Sequence, residues 1–281
     1  MELKTIYNFQ LPTILGKGET PYGYTNPYRG IDIHIVGCGG TGSYLIQNLA
    51  RLLKVKRENY DINLYLYDAD VVETKNLIRQ NFSNKDIGRS KAEAMAAKVS
   101  GGFQVPAVAY TKYIESETDV LEMLKVSQSV HHFPVIVGCV DSMQCRKIID
   151  SGMKMWGNYN FKAVWIDSGN EEFFGQVIVN SVGGDSLEIF SKETSAEEGY
   201  FNLPSFVDIA PELFTGNLQK TSEISCAEHA LENVQNIGAN IFSSTILFMV
   251  LNNLICGTGI SSGEIKFNAL LMQAINKPIT L

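Results

Sequence analysis

Apolar and polar positions alternate in two rhythms along this chain, and each rhythm predicts an element. Residues 31–36 (IDIHIV) alternate with a period of two, placing Ile31, Ile33 and Ile35 on one face of a short strand. Residues 41–54 switch to helical spacing, with Leu45, Leu49, Leu52 and Leu53 on one stripe. A second strand is predicted at 62–68, an Ala-rich helix at 89–101 that Gly101 ends, a strand at 105–114 and a helix at 119–126. Residues 134–140 (PVIVGCV) are almost continuously apolar, as expected of a central parallel strand covered on both faces. This β–α–β–α–β order predicts an α/β protein with a Rossmann-like, doubly wound, mostly parallel sheet.

The pattern then changes. Residues 162–169 and 175–182 read as two strands with a turn at Gly169 and Asn170, so the C-terminal half is expected to be elaborated and partly antiparallel. Residues 183–224 are polar and irregular, which predicts a surface crossover loop. Between Asn233 and Gly263 there is no charged residue, yet Asn236, Asn240, Ser243, Ser244, Asn252 and Asn253 interrupt the apolar positions. The continuous apolar run is only Ile246 to Leu251, well short of the roughly 20 residues a membrane span needs. A buried helix suited to a subunit contact is expected there, with no membrane, and residues 264–272 add a last strand. Residues 1–30, punctuated by Pro12, Gly16, Gly18, Pro21, Gly23 and Pro27, form an irregular segment before a single domain at 31–281.

Composition narrows the function classes. With 24 Gly and 8 Pro in 281 residues and 45% hydrophobic residues, the chain is neither collagen-like nor of low complexity. Its net charge of -7 argues against bulk nucleic-acid or anionic-membrane binding. Five cysteines (38, 139, 145, 226 and 256) contain no C-x-x-C pair, so neither a disulfide scaffold nor a zinc knuckle is suggested. The N-terminus lacks a signal-peptide core, and a cytoplasmic location is expected.

The chemistry starts at Gly37-Cys38-Gly39-Gly40-Thr41-Gly42, between a predicted strand and a predicted helix. Gly37, Gly39, Gly40 and Gly42 allow a tight turn, close backbone approach to a polyphosphate, and helix N–H groups facing the anion. The next strand ends at Asp68, which in a dinucleotide enzyme binds ribose hydroxyls. To this point NAD, FAD and ATP are equal alternatives.

The residues beyond this strand separate them. Asp68-Ala69-Asp70 leads to Asn76-Leu77-Ile78-Arg79-Gln80, then to Gly88-Arg89-Ser90-Lys91-Ala92, then to Asp141 and Arg146 in GCVDSMQCR. Together with WIDSGNEEFFGQV (165–177) and SCAEHALENVQNIGAN (225–240), this order resembles the ThiF/MoeB/E1 superfamily of adenylating enzymes. The GN…GQV and SC-x-E…Q-N texture is similar to the ThiF-like proteins of the plasmid-borne PRTRC system.

The resemblance implies transfer of AMP from ATP to a carboxylate with release of pyrophosphate. The usual acceptor is the C-terminus of a ubiquitin-like protein or a peptide. By motif position, Asp68 would hold the ribose, Asn76, Arg79 and Lys91 the phosphates, and Asp141 a magnesium ion. Asp70 and Gln80 join the nucleotide site or serve as turn residues. Arg146 is an ion-pair partner or a substrate contact, and His131 and His132, placed in a loop, receive no role. Cys226 either takes the activated acyl group or sulfur, or is a small buried residue beside a helix.

Three departures from the family pattern matter. Its zinc-binding C-x-x-C pairs are missing, so no structural zinc is predicted. Its N-terminal arginine stretch, which reaches a partner's site in homodimers, is also missing, and Arg29 is the only arginine before the glycine turn. No separate cysteine or ubiquitin-fold domain fits the length, so a minimal core is expected; the resemblance, with the uncharged Asn233–Gly263 stretch, implies a homodimer. The competing functions are adenylation of a tRNA-base carboxylate, an NAD- or FAD-dependent oxidoreductase, and a nucleotide-binding scaffold without chemistry.

Overall fold

The computed structural model of the chain describes residues 28–159, 161–183, 203–209, 236–256, 260 and 262–278. Strand β1 (Gly30–Val36) is buried along its whole length because parallel strands flank it on both sides. Its neighbours are β2 (Asp61–Tyr67) and β4 (His132–Gly138), with β3 (Ala107–Tyr110) beyond β2 and β5 (Ala163–Asn170) beyond β4. From β5 the direction reverses: β6 (Phe174–Val182), β7 (Ser262–Asn268) and β8 (Gln273–Pro278) add antiparallel strands. The sheet therefore has eight strands in the order β3-β2-β1-β4-β5-β6-β7-β8, a Rossmann-like parallel core with an antiparallel C-terminal half.

Helices cover both faces. On one, α1 (Gly40–Lys56), α2 (Lys91–Phe103) and α5 (Ile237–Cys256) pack Leu45, Leu49, Met95, Val99, Leu247 and Leu251 onto Ile31, Ile33 and Ile35. On the other, α3 (Glu117–Ser129) and α4 (Met143–Gly157) pack Val120, Leu124, Ile149 and Trp156 onto Val36, Ile136 and Trp165. The last three helices of the parallel half start on side-chain caps. Ser90, Ser116 and Ser142 accept from the N–H groups of Glu93, Asp119 and Cys145, each satisfying a donor the helix cannot. Helix α1 follows Gly39 and has no such cap.

Helix α5 is uncharged and, by length and composition, long and apolar enough to cross a membrane. It lies against α1, β5 and β6 as part of the core. Ala239, Asn240, Ser243, Ser244 and Leu247 are buried, and the small residues among them allow the backbones to approach closely.

Several boundaries differ from the sequence reading. Helix α2 passes through Gly101 and Gly102, where nothing crowds the helix, and ends at Gln104 in the left-handed region (φ 58°). Gly169 and Asn170 belong to β5, and the reversal falls at residues 171–173, closed by the Glu171 N–H donating to the Phe174 carbonyl. A Cβ on Gly175 would stand 2.3 Å from Phe267 and 2.7 Å from the Gly169 carbonyl, so glycine there lets β5, β6 and β7 close up. β3 is only four residues long, which frees Lys112 and Tyr113 to leave the sheet edge.

His132 is the first residue of β4 and buried, not in a loop. It bonds Asp32 at 2.8 Å and Asp61 at 3.3 Å, because Asp32 on β1 is fully buried and needs a partner. Within the segment predicted as a surface crossover loop, Leu203 and Ser205 are buried. The Leu203 N–H donates to Ser181 of β6, and Phe206–Ile209 form one helical turn.

Candidate active site

Register places the site. Val36 of β1 pairs with Tyr67 of β2 and with Gly138 of β4, so three parallel strands end level and their loops emerge side by side. β1 connects to one side of the sheet and β4 to the other, which opens a crevice at this switch point. A cleft of about 1410 Å³ lies there.

The glycine turn forms one wall. Gly37 has φ +94°, a conformation that favours glycine, and a Cβ on it would meet the Cys139 carbonyl at 2.6 Å. Gly39 and Gly40 face the cleft. Gly42 does not: it sits behind the turn, and a Cβ there would stand 2.0 Å from the Gly37 carbonyl. Glycine there lets the turn close on the helix.

Asp68 follows β2 and is buried, accepting from the Cys38 N–H at 2.7 Å and the Asp70 N–H at 2.8 Å. These bonds favour the carboxylate, yet burial outweighs them and raises its pKa. Each oxygen keeps a second lone pair, so hydroxyl donors on a ribose fit its edge. Asp70 accepts from Lys91 Nζ at 2.7 Å and from the Tyr113 hydroxyl. Burial opposes its charge, but those two donors prevail and hold its pKa below the ordinary value. The same bond, ahead of burial, pushes Tyr113 up to about 12.

Asn76, Arg79 and Gln80 come from a 3-10 turn, Thr74–Ile78, and the residues after it. Asn76 is buried, and its Oδ1 accepts from the Glu73 N–H, fixing the turn. Arg79 and Gln80 line the cleft, and the buried Gln80 Oε1 has no hydrogen-bond partner among the described residues. Lys91 is the first residue of α2 and is also buried at the wall, with its backbone N–H on the Asp70 carbonyl.

Asp141 is exposed in the β4–α4 connection on the opposite wall. Arg146 braces that connection as an ion-pair partner. Its Nε donates to Asp167 at 2.8 Å, and Nη2 donates to the carbonyls of Val140 and Ser168. Burial raises the Asp167 pKa despite the guanidinium. Cys139 and Cys145 also line the cleft, but burial raises both thiols, Cys145 to about 11, so neither is a ready thiolate. Cys226 lies outside the described residues.

The geometry suits a nucleoside triphosphate. An uncapped helix N-terminus faces the cleft, and Arg79 and Lys91 supply positive charge. Among the described residues no three His, Cys, Asp or Glu side chains cluster. Magnesium does not require such a cluster, since one carboxylate with phosphate oxygens and water is its usual set. Asp141 fits that role.

Tyr113, Asn170 and Asn240 line the same cleft, and sequence pattern alone marks none of them as functional. Asn170 and Asn240 stand within the quoted motif segments, but a lone Asn at a strand end or in an uncharged helix carries no distinguishing spacing. Tyr113 lies within a predicted strand, and only the early end of β3 reveals it.

Over 153 residues the chain is 29% identical to ubiquitin-like modifier-activating enzyme 5 of Oryza sativa subsp. japonica, covering 51% of this chain and 33% of that protein. In fold it is similar to E. coli MccB. The MccB structure with ATP matches with a TM-score of 0.54 at 16% identity, over 90% of this chain and 64% of MccB. The MccB structure with AMPCPP and MccA gives the same TM-score, identity and coverage. The chain thus spans a third of the plant protein's length and under two thirds of MccB. The ThiF family model matches residues 26–230, which include the glycine turn and every wall residue described up to Asn170. The chain belongs to the ThiF family.

Proposed function

We propose that this protein is an ATP-dependent adenylyltransferase that activates a carboxylate, namely the C-terminus of a ubiquitin-like protein or peptide. The observation that carries the reading is the convergence of Arg79 and Lys91, from separate segments, on the wall facing Asp141 across an uncapped helix N-terminus. Membership of the ThiF family supports it, as does the fold shared with MccB, whose structures hold ATP and MccA.

The reaction brings two anions together, so the site must neutralise charge. A carboxylate oxygen forms a bond to the α-phosphorus as the bond from that phosphorus to the bridging oxygen of pyrophosphate breaks. The bonding pair leaves with pyrophosphate. The attacking carboxylate is already ionised at neutral pH, so no general base is required. Arg79 and Lys91 would hold the phosphates and stabilise the departing charge, while Asp68 orients the ribose. Asp141 would hold magnesium, which when bound would supply charge neutralisation at the phosphates. A homodimer in the cytoplasm belongs to the same reading.

The test is calorimetric titration of the wild type with ATP and magnesium, and separately with NAD. An Asp68→Ala/Arg79→Ala variant serves as control. Binding of ATP but not NAD, lost in the variant, supports the reading. With a cognate peptide, Arg79→Ala should slow adenylate formation on the order of 10²–10³-fold. Binding of NAD alone would replace the reading with a redox enzyme.

A further inference from the structure

Helix α5 brings one polar side chain, that of Asn240, against the glycine turn. This residue, in the first turn of the helix, is 2% exposed and lines the cleft. Its Oδ1 accepts from Asn170 Nδ2 at 2.9 Å, and Asn170 Oδ1 in turn accepts from the Thr41 hydroxyl at 3.2 Å. This relay runs in one direction, from Thr41 through Asn170 to Asn240, and leaves the Asn240 Nδ2 donor as its open end. Among the described residues that nitrogen has no hydrogen-bond partner.

The open end lies beside Gly40, the first residue of α1, where a Cβ would come within 2.7 Å of Nδ2. Glycine is therefore required here for Asn240 to approach. Helix α1 has no side-chain cap, so its opening N–H groups are donors too. A buried amide donor without an acceptor is costly, and one converging with several others calls for an acceptor with negative charge.

We infer that Asn240 is a phosphate-binding residue, donating its Nδ2–H to a phosphate oxygen of a nucleoside polyphosphate seated at the N-terminus of α1. Asn170 and Thr41 act through it as positioning residues. They hold the amide with its donor toward the turn. The inference rests on the ATP reading above and extends the site to the C-terminal helix.

The experiment is calorimetry of the full chain with ATP and with adenosine, which has the base and ribose but no phosphate. Asn240→Ala should weaken ATP by about tenfold to a hundredfold, the range for a lost hydrogen bond to a charged group, and leave adenosine within about twofold. Asn240→Asp keeps the shape and the acceptor for Asn170 but sets a carboxylate against the phosphate, and should weaken ATP further. It also serves should the alanine variant fail to fold. Asn170→Ala should give a smaller loss of the same kind, in affinity and in the rise of Tm that ATP produces.

Unchanged ATP affinity in both Asn240 variants overturns the inference and leaves the ATP reading intact. So does a parallel loss of ATP and adenosine, which marks a role in shape alone. A wild type that binds no ATP refutes both.

Discussion

The contact between Lys91 and Asp70 separates what a charge does for the fold from what it does for the ligand. Lys91 Nζ lies 2.7 Å from Asp70 Oδ2, with the lysine side chain 9% exposed and the aspartate 46% exposed. At that distance the gross attraction is about 6 kcal/mol for an effective dielectric of about 20. Asp70 is half in water, and burying the ammonium opposes the gain, so the net coupling is about 1–2 kcal/mol. Lys91→Met should lower stability by about that amount, and so should Asp70→Asn. The double variant removes both charges and should cost about as much as either single change, so that the two losses fail to add. Urea denaturation can follow this through Trp156 and Trp165, the chain's two tryptophans, both buried in the core. ATP affinity should behave differently: it falls with Lys91→Met and stays low in the double variant, because the phosphate contact proposed for Lys91 would be gone. The pH dependence adds a check. The Asp70 pKa is held below its ordinary value, so the coupling is complete above the unfolded carboxylate range and lost only as pH falls through the depressed pKa. A coupling below about 0.5 kcal/mol, or ATP binding restored in the double variant, would refute the reasoning.

Other expectations rest on the same geometry. Gly42→Ala sets a Cβ against backbone at 2.0 Å, where no side chain can yield, and should cost more than the roughly 1–3 kcal/mol of ordinary overpacking, read as a fall in urea midpoint with loss of ATP binding. Arg146→Ala leaves Asp167 buried without its cation and should cost about 3–5 kcal/mol at neutral pH. Because burial already raises that carboxyl, the variant should lose stability as pH rises above the unfolded carboxylate range, measurable by denaturation between about pH 4 and 8. His132 has a raised pKa through Asp32, so its contribution is present below the unfolded histidine pKa and fades as pH rises through the folded one; His132→Gln should flatten that decline. Burial lowers His34 to about 4, so it acts oppositely: stability falls as pH drops below about 6.5, where the unfolded histidine takes a proton.

The parallel half was legible because each of its elements answers to a local rule. Ile31, Ile33 and Ile35 alternate, Leu45 and Leu49 share a helix stripe, and the glycine turn joins the two. Motif order also anticipated that Asp68, Arg79, Lys91 and Asp141 share one cleft. What was missed depends on contacts distant in sequence. β8 is exposed and polar, and only pairing with β7 makes it a strand. His132 reads as a loop residue until the buried Asp32, a hundred positions away, supplies its partner. Gly42 counts as a ligand-facing glycine in the motif, yet its neighbour is the Gly37 carbonyl. Asn240 gains meaning only through Asn170 and Gly40, which no spacing rule connects to it.

Helix α5 lies between α1 and the strands β5 and β6, far along the chain from the glycine turn it touches. Closing that contact encloses β2 to β6 in sequence, so the cleft wall it forms rests on non-local contacts, the kind that slow folding. A chain stalled before α5 docks would have the turn and its glycines but not the wall. Any ligand that prefers the docked arrangement stabilises it in proportion to the logarithm of its concentration over Kd. Under the proposed function, nucleotide in the surrounding solution would then favour the docked helix and slow its release.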